Sequence, residues 1–310
     1  MRSSEQLKAH IRNRAKIANV QTEILLRSFM LERFLERIAN SKYKHNFILK
    51  GGMLIASMVG IAERTTMDMD ATIKGRMLNA SEITAMIEEI LSIPMNDGVS
   101  LTMHGIEEIR EEADYLGFRI SIGALLDKTR QILKIDITTG DFITPKEIVY
   151  PFKLMFEDRS IDIMAYNVET ILAEKFETVV TRSTANTRMR DFYDIYILTA
   201  SHPFDPEIFR TALQNTAERR GTTAQMTEMD TIIHTVADSP QMSGLWRRYQ
   251  SKYSYATNVT WEMAAAAIVK LAKEVAGAHL MPPCAETSGV CRGSIHTASC
   301  VRRSRRAGPA

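Results

Sequence analysis

The alternation of apolar and polar positions divides the chain into three textures. The first, up to residue 40, is helical: in QTEILLRSFMLERFLERIAN the apolar side chains Ile24, Leu25, Phe29, Leu31, Phe34, Leu35 and Ile38 recur at three- and four-residue spacings with charges between them. NFILK is then an apolar run of strand length, ended by Gly51-Gly52. MLIASMVGIAE has the length of a buried helix of about three turns, and TMDMDATI alternates with the period of two that marks a strand. A helix is expected over 80–93, capped by Asn79 or Ser81. From 99 to 138 the texture is β: VSLTMHGIEEI, YLGFRISIGALL and RQILKIDIT all alternate, and Asp127-Lys128-Thr129 reads as the turn between the last two. Pro145 and Pro151 bracket a short extended piece, EIVY, and SIDIMAYN follows. After 167 the helical period returns and holds almost to 275. These textures predict an α+β protein, with N-terminal helices over 1–40, a sheet-bearing core over 41–166 and a helical part over 167–276.

Residues 277–310 break the pattern. They show neither period and are rich in Gly, Ser, Pro and Arg, so a disordered tail is expected there. This tail holds all three cysteines, Cys284, Cys291 and Cys300, at spacings unlike those of zinc pairs. The cysteine-free body before it predicts neither a disulfide framework nor a thiolate metal site. The tail also changes the reading of charge. Its five arginines and one glutamate contribute +4 to a chain whose net charge is +2, leaving the body at about −2. The calculated pI of 8.4 is therefore a poor argument for nucleic-acid binding. The hydrophobic fraction of 45% and charged fraction of 25% are those of a soluble globular protein. No apolar run is long enough to cross a bilayer, and the polar start, MRSSEQLKAHIRNRAK, lacks the apolar centre of a secretory signal. A cytoplasmic protein with no membrane partner is expected.

Candidate chemistry begins in MDMDATI. On a strand Asp68, Asp70 and Thr72 share one face while Met67, Met69, Ala71 and Ile73 share the other. Two same-face carboxylates repel unless a cation sits between them, and magnesium suits such hard oxygen donors. A solvated strand face has the same pattern. In QILKIDITTGD, Asp136 lies on a polar face with Lys134 and Thr138, and it joins the pair if the two strands are neighbours. Three convergent carboxylates suit two-metal chemistry; alternatively Asp136 pairs with Lys134 or Arg119. The Lys50-Gly51-Gly52 junction between strand and helix offers backbone N–H groups and a positive helix end to a phosphate, or simply makes a tight turn. It is not a Walker A loop.

Two later helices carry charges on their apolar sides. In VETILAEKFETVVTR, Lys175 falls within the arc of Ile171, Leu172, Phe176 and Val179, whereas Glu174 and Glu177 fall outside it. In RDFYDIYIL, Asp191 lies within the arc of Phe192, Ile195 and Leu198, with Asp194 at its edge. An inward charge is costly unless paired. Either Lys175 and Asp191 form a structural ion pair, or Lys175 faces a cleft and contacts a triphosphate while Asp191 orients it. Arg188 and Arg190 are further phosphate contacts or solvated side chains.

Taken in order, FILKGG, RTTMDMD, KIDITTGD, ILAEKFETVVTR and NTRMRDFYDIYIL resemble the nucleotidyltransferase toxins of the AbiEii/AbiGii type, over about residues 20–200. The resemblance implies a polymerase-β-like nucleotidyltransferase core sheet with flanking helices, and a toxin of a toxin–antitoxin or abortive-infection system encoded beside a cognate antitoxin. It implies magnesium- or manganese-dependent transfer from an NTP to a hydroxyl acceptor, with transfer RNA favoured. Carried over by position, Gly51 and Gly52 match the glycine motif, Asp68 and Asp70 the metal-binding pair, Lys175 the helix-motif lysine and Asp191 the last motif's aspartate, with Asp136 as third carboxylate. The Gly-Gly and the fifteen residues from it to D-x-D depart from the superfamily's commoner Gly-Ser and shorter spacing, which puts any serine–phosphate contact in doubt. A non-catalytic nucleotide- or RNA-binding regulator of the same fold, or a magnesium-dependent phosphohydrolase, remains open.

Overall fold

A computed structural model of the chain describes residues 4–75, 79–111 and 115–276. The tail, with its three cysteines, lies outside the described residues. The N-terminal helical texture is two helices, α1 (Ser4–Ile17) and α2 (Thr22–Ala39), broken around Asn19, whose φ is 51°. α2 packs against sheet and helix at once, so its apolar stripe is buried and so are the charges beside it, Glu32, Arg33, Glu36 and Arg37. They persist in the interior by pairing. Arg33 meets Glu36 at 2.9 Å and Glu157 at 2.8 Å, Arg37 meets Asp97 at 2.7 Å, and Glu32 accepts from the Met155 N–H at 2.8 Å.

Among the described residues the strands β1 (Phe47–Lys50), β2 (Asp68–Ile73), β3 (Val99–Glu111), β4 (Tyr115–Leu126), β5 (Thr129–Thr139), β6 (Ile148–Lys153) and β7 (Ser160–Ala165) form one mixed sheet in the order β3-β4-β5-β2-β1-β7-β6. β2 runs antiparallel to β1 and parallel to β5, with Asp70 opposite Lys50 on one side and Asp136 on the other. The predicted neighbourhood of the two acidic strands is thus formed. The turn at Asp127-Lys128 also stands where expected, Asp127 taking a φ of 53°. Pro151 lies inside β6 rather than beyond its end; β6 is the edge strand, where a missing N–H is tolerated.

α3 (Gly51–Val59) differs from its expectation in both limits. It begins on the first glycine and stops at Gly60, whose φ of 99° ends it before Ile61. α4 (Ala80–Leu91) is capped by Asn79, in a reciprocal box with Glu82. The helical part comprises α5 (Val168–Arg182), α6 (Met189–Ser201), α7 (Pro206–Arg220), α8 (Thr223–Thr227), α9 (Met229–Ala237), α10 (Pro240–Lys252) and α11 (Trp261–Ala276). α5, capped by the Asn167 side chain, packs against α6, α7 and α8. That surround buries Glu177, which the periodicity places outside the apolar arc; Arg220 pairs with it, and the hydroxyls of Thr181 and Thr222 donate to it at 2.9 and 2.8 Å. Residues 1–276 form one compact unit, so the sheet and the helical part share an interior.

Candidate active site

The strand alternation of β2 puts Met69 wholly inside and leaves Asp68 and Asp70 partly accessible on the opposite face. Asp70 lies against the β1–α3 junction, where the Gly52 N–H donates to its Oδ2 at 3.3 Å. Gly51 has a φ of +66°, and a Cβ there would stand 2.1 Å from Asp70 Oδ2. The first glycine is therefore required by the chain's own carboxylate, a reason the sequence does not display. Burial pushes the Asp70 carboxyl above the usual range; Lys50 opposes this, and Asp136 and Asp68 add to it.

Asp136 shares the face and register of Asp70, but the three carboxylates do not gather into one cluster. Arg119, its cross-strand neighbour, grips Asp136 through Nε at 2.8 Å and Nη2 at 2.7 Å. The pairing with Arg119 that the sequence left open is formed, and it holds the guanidinium's proton tightly. Among the described residues no three acidic, His or Cys side chains come together as a metal cluster. Asp68 and Asp70, same-face carboxylates two residues apart, are nonetheless a fitting pair of oxygen donors for a divalent cation sharing further oxygens with a phosphate.

Lys50 does not stand free beside the glycines. Its Nζ lies 2.7 Å from Asp141 Oδ2, which also accepts from Thr138 at 2.7 Å and from Tyr166 at 2.9 Å. Burial works against the Asp141 charge, but Lys50 and the two hydroxyls hold its carboxyl down to about 2. The Tyr166 hydroxyl is also 3.4 Å from Glu174 Oε1, whose carboxyl burial pushes up. Asp141 closes the KIDITTGD motif, yet nothing in the local alternation marks it as the partner of Lys50, 91 residues earlier.

Lys175 is both things the sequence allowed, an ion-paired lysine and a cavity wall. Its Nζ lies 2.8 Å from Asp191 Oδ1 and 2.8 Å from Asp194 Oδ2. Burial opposes its charge, but the two aspartates win and raise its affinity for the proton. Asp194 is fully buried and is the hub: Arg64, itself 1% exposed, donates to it from Nε at 2.6 Å and Nη2 at 3.2 Å. In sequence Asp194 sits only at the edge of its arc, and no periodicity marks Arg64. A helical wheel cannot find a partner on another element.

These groups open on one cavity of about 770 Å³. Its wall includes Asp68, Asp70, Gly51, Gly52 and Lys50 from the sheet side, Glu174, Lys175 and Asp191 from α5 and α6, and Arg188, Arg190, Arg220, Arg248 and Lys252 from the helical part. Asp136 does not line it. The expected residues Lys50, Gly51, Gly52, Asp68, Asp70, Lys175 and Asp191 are thus brought together, and Asp136 stands one strand away.

In fold the chain is similar to a provisionally assigned nucleotidyltransferase from H. pylori, with a TM-score of 0.52 at 13% identity over 84% of this chain and 97% of that one. It is also similar to JHP933 from Helicobacter pylori, with a TM-score of 0.51 at 12% identity over 83% and 94%. At such identities the likeness is one of fold, and it supports the nucleotidyltransferase-type sheet with flanking helices. No curated protein matches the sequence significantly. The profile of the family described as nucleotidyl transferase AbiEii toxin, type IV toxin–antitoxin system, matches residues 33–267, and the chain belongs to that family.

Proposed function

We propose that the protein moves a nucleotidyl group from an NTP to a hydroxyl on an RNA acceptor, a transfer RNA end by family analogy, as the toxin of a pair with a cognate antitoxin. The carrying observation is the meeting of Asp68 and Asp70 with the glycine start of α3 on a cavity that also holds Lys175. Magnesium or manganese, held by Asp68 and Asp70, would supply charge neutralisation to the triphosphate. The start of α3 would turn its positive end toward phosphate oxygens, sharing the first turn with Asp70, to which the Gly52 N–H already donates. Lys175, kept charged and aimed by Asp191 and Asp194, offsets negative charge on the phosphoryl group in flight. The acceptor oxygen bonds to the α-phosphorus, the bond to the departing pyrophosphate breaks, and the hydroxyl proton passes to solvent in the cavity. With NTP and RNA as its substrates, the protein would act in the cytoplasm.

The test is label transfer from each α-labelled NTP to total RNA or protein with magnesium or manganese, read alongside pyrophosphate release. Transfer to RNA with pyrophosphate, abolished in a folded Asp70→Ala variant, is expected. Full activity in that variant would refute the assignment, release of free phosphate alone would make the protein a phosphohydrolase, and RNA binding without turnover a regulator.

A further inference from the structure

Resting on that reading, a second question concerns how the acceptor reaches the cavity. α10 and the turn after it bring groups the transfer chemistry does not use. Between residues 239 and 261 there is no acidic residue, while Arg247, Arg248 and Lys252 are exposed. Arg248 and Lys252 line the cavity, so they stand at its mouth. Tyr253 follows directly, half-buried and lining the same wall. Its ring is fixed from several sides: Tyr249 and Tyr255 lie 4.8 and 5.4 Å away by centroid, and Arg190 donates to its hydroxyl at 3.1 Å. Arg190 and Lys252 also lie over the ring, at 5.5 and 5.4 Å from its centroid. Behind it, the Tyr249 and Tyr255 hydroxyls pair at 2.9 Å and Trp246 donates to the Val259 carbonyl at 2.8 Å, which ties the turn to α10.

We propose that Arg248, Lys252 and Tyr253, with Arg190 from α6, dock the single-stranded end of the RNA acceptor, a base stacking on Tyr253 in place of the exposed Lys252 ammonium, which swings with the other cations to adjoining phosphates. The phosphates of the donor nucleotide have their own partners at the glycine junction and Lys175. A second cationic set, exposed at the mouth of the cavity, suits a polymer rather than a mononucleotide. A rigid aromatic ring flanked by cations is the arrangement that takes bases without regard to sequence.

The experiment is fluorescence anisotropy of the full chain with a short fluorescein-labelled single-stranded RNA, without NTP and over a salt series, followed by KM values for NTP and RNA. Tyr253→Ala should weaken RNA binding by about fivefold or more, and Tyr253→Trp should restore it. Arg248→Ala and Lys252→Ala, both exposed and so safe for folding, should each lower the slope of log affinity against log salt by about 0.7. None should change the KM for NTP by more than about twofold. Unchanged RNA affinity and salt slope in all variants would overturn the proposal. So would a raised KM for NTP in Tyr253→Ala with RNA binding intact, which would make the ring a donor-base site, or transfer to a protein acceptor with no RNA bound. A parent that binds RNA with these dependences yet transfers nothing would uphold the docking face and refute the transferase reading.

Discussion

Substituting Asp194 by Ala should unfold the helical junction more readily than any other single change at the site. The carboxylate is 0% exposed and serves two cations, Arg64 at 2.6 Å and Lys175 at 2.8 Å. Burial opposes its charge, but the two partners hold its carboxyl at about 2 against a usual 3.8. That shift corresponds to about 2 kcal/mol of stability at neutral pH. Removing the carboxylate costs more, because Arg64 is left buried and uncompensated; about 3–5 kcal/mol is expected. In urea, with a slope of about 3 kcal/mol/M, the midpoint should fall by about 1 M or more. Asp191→Ala leaves Asp194 bound to both cations, so it should cost less than half as much while still impairing transfer. The pH dependence has a fixed sign. Since the folded value is depressed, this stability is complete above pH 3.8 and lost as pH falls through about 2, so the gap between the parent and Asp194→Asn should close over that window. A midpoint within about 0.3 M of the parent at pH 7 would refute the hub assignment.

Asp70→Asn should abolish transfer and leave stability at pH 7 unchanged or higher, since burial and the Asp136 and Asp68 charges already disfavour its ionised form; urea melts and label transfer check both halves. Gly51→Ala should cost roughly 1–3 kcal/mol by thermal or urea melting, because an L side chain at φ +66° meets Asp70 Oδ2, and transfer should fall with the displaced aspartate. Glu32 carries a carboxyl that burial pushes up to about 7, although Arg33 and the Met155 N–H pull it down. Its contribution is full below pH 4.5 and lost as pH rises through about 7, so the parent should lose about 2–3 kcal/mol relative to Glu32→Gln between pH 5 and pH 8. Raising salt should increase the KM for the acceptor far more than it lowers kcat; an equal effect on both would contradict the division of cations argued below.

What was legible in the sequence is what periodicity and register can encode. The alternation of TMDMDATI and of RQILKIDIT placed Asp68, Asp70 and Asp136 on common faces, and a parallel register confirms the neighbourhood. Lys175 was found because its position on the wheel conflicts with its charge. The rest depends on partners that no window of one element contains. Arg64 and Asp194 are 130 residues apart, and Lys50 and Asp141 are 91 apart. Glu177 was placed outside the apolar arc because the wheel assumes one buried side, whereas α5 is enclosed by α6, α7 and α8. The glycine junction reads in sequence as a phosphate cradle or a tight turn; in the fold the space beside the Gly51 Cα is filled by Asp70.

Net charge misled for a related reason. The body of the chain is slightly acidic, yet the cavity wall carries Lys50, Arg64, Lys175, Arg188, Arg190, Arg220, Arg248 and Lys252 against Asp68, Asp70, Glu174 and Asp191. Charge is segregated, and the cations divide by burial. Lys50, Arg64 and Lys175 each pair with an acidic side chain of the interior, Asp141 or Asp194, so their charge is largely spent on fixing geometry. Arg248 and Lys252 are exposed in an acid-free segment, where attraction reaches into solvent and salt can screen it. On the proposed reading, an inner set to hold a reacting phosphate and an outer set to gather a polyanion have opposite requirements for burial, and the chain draws them from different elements, the inner cations from β1, α5 and the segment before β2, the outer from α10.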